Sequence, residues 1–254
     1  MFEKLVKLVV STGHIISSRR DIDANGGEWQ GEQLKTVADQ FAHNMLQDGL
    51  SKLYSVPIIS EENPDSHTDK RPSIYWLIDP IDGTRSLVEG FPGWVVQVAL
   101  VENGKPIMSV IFAPDLDLLY TAQAGMGAYC NEKKLTVVDK SNDRRTLIDN
   151  YPEPRGVAIN IMKGMSCTNY VESGSISLKI CRVADGTADI FIKDVAIRDW
   201  DVAAPMLILK EMGGTILQYN GALFNLDGSF QKNGLIVVRS NKLASSILEF
   251  LNEI

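Results

Sequence analysis

Ile74-Tyr75-Trp76-Leu77-Ile78-Asp79-Pro80-Ile81-Asp82-Gly83-Thr84 is the stretch that decides how this chain reads. Its first five residues form a short apolar run, the pattern of a strand, and the run delivers Asp79 at its end. Pro80 blocks further sheet hydrogen bonding and helix formation alike. Asp82 follows three residues after Asp79, so a turn can aim both carboxylates into one pocket. Gly83 lets the backbone come close to a ligand. If Gly83 and Thr84 open a helix, their N–H groups form a cradle for an anion. Two carboxylates held together need a cation, or one of them must be protonated. Hard oxygen ligands favour magnesium, manganese or calcium. Taken alone, the same residues also read as an Asp-rich turn with a cap.

Two further acidic segments stand outside this one. Ile58-Ile59-Ser60-Glu61-Glu62-Asn63-Pro64 is again a short apolar run ending in acids. By itself it reads as a solvated loop. Arg198-Asp199-Trp200-Asp201-Val202-Ala203-Ala204-Pro205 places Asp201 where a helix starts, a position at which an acid commonly serves as a cap or macrodipole partner.

Outward from these segments the chain organises into two halves. Residues 1–20 carry apolar positions interrupted by Lys4, Lys7 and His14, and read as an amphipathic helix packed on the body, too short and too charged for a membrane span. Residues 21–33, with three glycines, read as a loop, and residues 36–50 as a helix. Strands are expected at 56–60, 74–78, 94–101, 107–112 and 118–121, with Asn103-Gly104-Lys105 as a hairpin turn. Residues 131–155 read as a charged crossover. Beyond them, strands are expected at 157–161, 215–218 and 235–238, and helices at 175–185, 200–212 and 243–254. The expectation is an α+β half over 1–130, carrying most of the acids, joined to an α/β half over 131–254 in one compact unit.

The bulk numbers fit a globular chain. Of 254 residues, 44% are hydrophobic and 22% charged, enough for a proper core. A net charge of −7 argues against a broad phosphate-binding surface for nucleic acid, and no basic stripe with interleaved aromatics is present. It leaves room for a small basic pocket. Cys130, Cys167 and Cys181 are odd in number and lack a CxxC pair, which fits a reducing compartment and a cytoplasmic location rather than a disulfide framework or zinc site. His14, His43 and His67 lie outside every motif, and no catalytic role is expected of them.

Ile59-Ser60-Glu61-Glu62, Trp76 to Thr84 and Trp200-Asp201-Val202-Ala203-Ala204, in this order, resemble the inositol monophosphatase superfamily of magnesium-dependent, lithium-sensitive phosphatases. The resemblance runs from about Lys35 to Asn241. It implies a layered αβαβα sandwich of the inositol monophosphatase and sugar phosphatase type, commonly a homodimer. It implies two or three Mg2+ ions per active site. Glu61, Asp79 and the Ile81 backbone carbonyl would hold a first metal, with Asp79 bridging to a second that Asp82 and Asp201 also hold. It implies a nucleophilic water oriented by Glu61 and Thr84, with Asp39 assisting at the threonine or at a further metal. Two metals about 4 Å apart can lower a water's pKa and clamp both oxygens of an in-line displacement. No Ser-His-Asp or Cys-His set is evident.

Ser173-Gly174-Ser175-Ile176-Ser177-Leu178-Lys179 is closer to the 3′(2′),5′-bisphosphate nucleotidase branch, which tends to have Lys where the inositol enzymes have Asn at position 179. Lys193 matches the position of a substrate-gripping Glu in the inositol enzymes, and a basic side chain suits a second phosphate better than a sugar hydroxyl. The stretch between Asp189 and Trp200 carries one residue more than the family pattern. The residues expected at the substrate are therefore Gly83, Thr84, Gly174, Ser175, Lys179, Lys193 and Trp200. The implied reaction is hydrolysis of adenosine 3′,5′-bisphosphate to AMP. The alternatives are an inositol-1-monophosphatase, with or without fructose-1,6-bisphosphatase activity, and a catalytically silent metal-binding protein. Leu34-Lys35 replaces the family's Ser-Pro, and the adjoining loop with Gly26-Gly27 also differs, which bears on a third metal and on lithium inhibition.

Overall fold

The computed structural model describes residues 1–23, 28–30, 33–136 and 144–253. Gly26 and Gly27 of the expected loop lie outside the described residues, as do residues 137–143 of the expected crossover and Ile254. Helix α1 (Phe2–Asp23) leads to a two-stranded ribbon, β1 (Glu28–Gln30) and β2 (Gln33–Lys35), and to α2 (Val37–Leu53). Then come β3 (Ile58–Ser60), β4 (Ile74–Asp82), the short α3 (Thr84–Glu89), β5 (Val95–Glu102), β6 (Lys105–Ala113), β7 (Leu118–Gln123), β8 (Gly127–Cys130) and β9 (Lys133–Lys134). Strands β3 to β9 form one seven-stranded sheet in chain order, antiparallel except for the β3–β4 pair. The turn between β5 and β6 has Asn103 at φ 48° and Gly104 at φ 72°, a left-handed pair that matches the twist of a two-residue hairpin.

The second sheet has five strands in the order β11-β10-β12-β14-β13. They are β10 (Arg145–Asp149), β11 (Cys167–Glu172), β12 (Ile190–Arg198), β13 (Thr215–Leu217) and β14 (Gln231–Val238). The helices of this half are α4 (Val157–Gly164), α5 (Ile176–Ala184), α6 (Asp199–Glu211) and α7 (Asn241–Asn252).

Alternation along the strands builds five layers. Tyr75 and Leu77 of β4 join Val95, Ala99 and Val101 of β5 in a central core with α5, α6 and the inner face of the second sheet. Trp76, Ile78, Val96, Val98 and Leu100, on the opposite face, pack against Leu5, Val9 and Ile16 of α1 and Ala42, Leu46 and Leu50 of α2. Burial of each such α1 side chain stabilises by about 1.5–3 kcal/mol. Ile190, Ile192, Ile236 and Val238 form a third core with α4 and α7. The order is therefore αβαβα, with both faces of each sheet covered. No described helix is long and apolar enough to cross a membrane.

Several expectations are corrected. Residues 157–161 form a helix, not a strand: Val157, Ala158 and Ile161 are buried at helical spacing. The expected crossover contains β9 and β10, and the expected loop begins as the end of α1 and includes β1. Pro80 does not end its strand. β4 continues to Asp82 through a register shift between Asp79 and Asp82, and this irregularity accommodates the residue that lacks an N–H.

Candidate active site

Three separate segments bring acids to the seam between the two sheets. Parallel pairing of β3 on β4 sets Ser60 beside Ile78, so Glu61, the first residue past β3, comes to lie beside Asp79 of β4, and the Glu61 N–H donates to the Ile78 carbonyl at 3.3 Å. α6 brings Asp201 from the other half. Ligand oxygens of Glu61, Asp79 and Asp201 all lie within 4.8 Å of one another. Asp79 is buried; its Oδ1 accepts from the Ile81 N–H at 3.1 Å, and its buried Oδ2 has no protein partner. Burial, then mutual repulsion, holds the carboxyls of Asp79 and Asp201 well above the usual range, and Glu61 is also raised. Such a set, all hard oxygen donors and electrostatically frustrated without positive charge, fits a divalent cation.

Asp82 stands just outside this triad. Its Oδ2 accepts from the Ser177 N–H at 2.7 Å and its Oδ1 from the Ile176 N–H at 3.4 Å, so it caps α5 from the opposite half. Its charge still raises the pKa of Glu61, Asp79 and Asp201. Asp201 is fixed through its backbone as well. Pro205 has no N–H to donate to the Asp201 carbonyl four residues back, and that carbonyl accepts from Ser177 Oγ at 2.8 Å instead.

Thr84 and Asp39 meet across the same site. Thr84 Oγ1 lies 2.9 Å from Asp39 Oδ1 and 3.2 Å from the Ile81 carbonyl oxygen, within donating distance of both. Asp39 also closes the start of α2, accepting from the N–H and hydroxyl of Thr36 at 2.7 and 2.6 Å. Burial pushes Asp39 up to about 6 against the pull of the Thr36 hydrogen bonds.

Gly83, at φ 92°, precedes α3 in the left-handed region that glycine adopts at no steric cost. It lies against Ser175, whose hydroxyl caps α5 by accepting from the Leu178 N–H at 3.0 Å. Gly174 packs backbone to backbone on Gly93: a Cβ on Gly174 would sit 2.5 Å from the Gly93 carbonyl oxygen. Lys179 is fully buried beneath this turn, donating to the Gly174 carbonyl and, at 3.4 Å, to that of Ser173. Desolvation lowers its pKa to about 7. Lys193 pairs with Asp149 at 2.5 Å, beside the Tyr151 ring. The β12–β14 pairing shifts register between Lys193 and Ala196, so β12 carries one residue more than its partner over this stretch.

A cavity of about 720 Å3 opens onto Glu61, lined among others by Lys35, His67, Arg198, Trp200 and Phe230. His67 stacks on Trp200 with ring centroids 4.7 Å apart. Of these, Trp200 alone was expected at the site. Lys35 pairs with Glu62 at 2.9 Å, and His67 comes from a polar stretch with no periodic signal. A histidine one short turn after an acid-ended strand was the only pointer in the sequence.

Comparison with known proteins agrees with this architecture. The inositol monophosphatase family model matches residues 1–254. "Nus factor SuhB" of Xylella fastidiosa is 35% identical over 192 residues, 72% of this chain and 68% of that protein. The 3′(2′),5′-bisphosphate nucleotidase CysQ of Buchnera aphidicola is 30% identical over 236 residues, 89% of this chain and 87% of its own length. The solved structure of a Thermotoga maritima IMPase superposes with a TM-score of 0.81 at 26% identity, covering 98% of this chain and 96% of that one. With the triad, the layered fold and a match over its whole length, this chain belongs to the inositol monophosphatase family of phosphatases.

Proposed function

We propose that the protein is a Mg2+-dependent phosphomonoesterase that hydrolyses adenosine 3′,5′-bisphosphate to AMP and phosphate. The observation that carries the metal-dependent part is the Glu61–Asp79–Asp201 cluster, with Asp79 Oδ2 buried and without a protein partner. Glu61, Asp79, Asp82, Asp201 and the Ile81 carbonyl would hold Mg2+, two or three ions per site. When bound, the metal stabilises charge on the phosphoryl oxygens and makes water a nucleophile at neutral pH.

The chain's own groups do the rest. Thr84, hydrogen-bonded to Asp39, keeps lone pairs to accept from the attacking water, and Glu61 takes the proton that this water gives up as its oxygen bonds to phosphorus. The ester oxygen departs and takes a proton from solvent. Backbone N–H groups of Gly83 and Thr84, with Gly174 and Ser175 opposite, seat the phosphoryl group. Trp200 walls the site.

Support for the nucleotide rests on Lys179, Lys193 and the CysQ relatives. Lys193, paired with Asp149 in the free protein, would be the group that meets a second phosphate. Lys179, being buried, acts by shaping the Ser173–Gly174 turn. A second reading, inositol-1-monophosphatase with fructose-1,6-bisphosphatase activity, is favoured by a Thermotoga maritima relative of that double name, 28% identical over 98% of this chain. The reading includes a cytoplasmic homodimer. The test is phosphate release from adenosine 3′,5′-bisphosphate, inositol 1-phosphate, fructose 1,6-bisphosphate and AMP, with Mg2+ and after chelation. The nucleotide bisphosphate is expected to turn over fastest, and only with Mg2+. Preference for the inositol or fructose ester sinks the substrate assignment and keeps the metal chemistry. Turnover that survives chelation sinks the metal chemistry.

A further inference from the structure

We propose that His67 is a positioning residue that sets the separation between Glu61 and Asp201 across the seam, and with it the affinity of the site for a divalent cation. The inference rests on the metal reading above and extends it to a residue outside every acidic motif.

His67 touches both sides of the site at once. Its Nε2 lies 2.7 Å from the Ser60 carbonyl oxygen, the last peptide group before Glu61. A carbonyl only accepts, so Nε2 carries the proton. Its ring stacks on Trp200 at 4.7 Å with an interplanar angle of 26°, immediately before Asp201. The Trp200 ring in turn meets Phe230 at 5.8 Å, and Arg71 lies over Phe230 at 4.0 Å. A residue of the first half thus grips the Glu61 strand end through a hydrogen bond and the start of α6 through a ring face.

Ser60 is held from its other side too. It is fully buried; its Oγ accepts from the Glu62 N–H at 3.3 Å and lies 2.8 Å from His43 Nδ1, within hydrogen-bonding distance. Burial lowers the pKa of His43. The turn between Ser60 and His67 closes on itself: Ser66 Oγ accepts from the Ser60 N–H at 3.1 Å and donates to the Asn63 carbonyl at 2.6 Å. Ser60 therefore cannot shift alone, and of its two histidines only His67 reaches the other half. Loss of a group that orients a metal-binding side chain typically costs about 10–100-fold in metal affinity or activity.

Three variants separate the two contacts. His67→Ala removes both, His67→Phe keeps the ring, and His67→Gln keeps a donor for the Ser60 carbonyl. Binding of Mg2+ and Mn2+ to the chelated full-length protein is measured by calorimetry, beside Mg2+ titrations of activity and thermal unfolding. His67→Ala is expected to weaken cation binding about tenfold and to raise the Mg2+ needed for half-maximal rate by the same factor, with KM for the ester unchanged. The Phe and Gln variants should each lose part of that affinity.

A folded His67→Ala protein that binds cation within about twofold of wild type overturns the proposal, because a lost positioning contact costs more than that. A raised ester KM with untouched cation affinity also overturns it, since His67 is then a substrate contact. If the Ala variant does not fold, the Phe and Gln variants decide in the same way. Wild-type protein that binds no cation sinks the metal reading and this inference together, whereas normal wild-type binding with indifferent variants sinks this inference alone.

Discussion

Lys179 shows how burial can separate a residue from the task that its motif suggests. The resemblance carried by Ser-Leu-Lys put it at the substrate; burial puts its amine underneath the Ser173–Gly174 turn, on two carbonyl oxygens. Desolvation lowers its pKa from 10.5 to about 7, so the folded and unfolded chains titrate differently. Below about pH 7 the folded state carries a buried, charged amine, and stability is reduced. Between pH 7 and 10.5 the folded amine has shed a proton that the unfolded chain still holds, and stability rises with pH across that window. The slope from this group is at most about 1.4 kcal/mol per pH unit. Urea unfolding of wild type and Lys179→Met across pH 7–10 is expected to show a flatter pH dependence in the variant; parallel curves would rule out a titrating amine at this position.

Helix α6 carries the most at the scale of elements. Its first turn supplies Asp201, stacks Trp200 on His67, and buries Asp199 against Arg71 and Lys232. Pro205 removes one internal hydrogen bond, and Ser177 of α5 takes the released Asp201 carbonyl, so two helices are tied at a candidate metal ligand. Ser177→Ala leaves that carbonyl without its partner, and is expected to cost about 1–3 kcal/mol of stability together with a drop in cation affinity. Chemical denaturation and calorimetry check the two effects; a stable variant with full cation affinity excludes the tie.

The central strands were legible in the sequence because β4 and β5 are buried on both faces and read as mainly apolar runs, Ile74 to Ile78 in β4 and a run broken only by the buried Gln97 in β5. β11 was not legible, since Cys167–Glu172 lies at a sheet edge with a largely polar, half-exposed pattern. β12 was hidden by the register shift after Lys193, which breaks its alternation. Val157-Ala158-Ile159-Asn160-Ile161 looked like a strand by composition, and packing under the second sheet overrode that preference. The acids of the site were visible because each ends an apolar run or starts a helix. His67, Arg198 and Phe230 were not, because only the docking of two sheets brings them together.

For the molecule as a whole, the halves meet backbone to backbone at Gly93 and Gly174. The Ser175 N–H donates to the Gly93 carbonyl at 2.7 Å, and a Cβ on either glycine would collide with the other's backbone. Gly174→Ala must therefore push the sheets apart near the start of α5, which Asp82 caps. The expected cost is about 1–3 kcal/mol of stability and a tenfold or greater loss of kcat/KM. Thermal unfolding and steady-state kinetics test this, and wild-type values in both would mean that the halves do not approach this closely in solution.

The triad itself joins points far apart along the chain: Glu61 and Asp201 are separated by more than half of it. Viewed as a polymer, a cation held by these oxygens is a removable cross-link that closes a very long loop. The entropy of closing such a loop grows only with the logarithm of its length, so most of that cost falls on folding itself. A cation that binds the folded chain alone then adds stability by mass action, as a reversible staple between the first and last thirds of the protein.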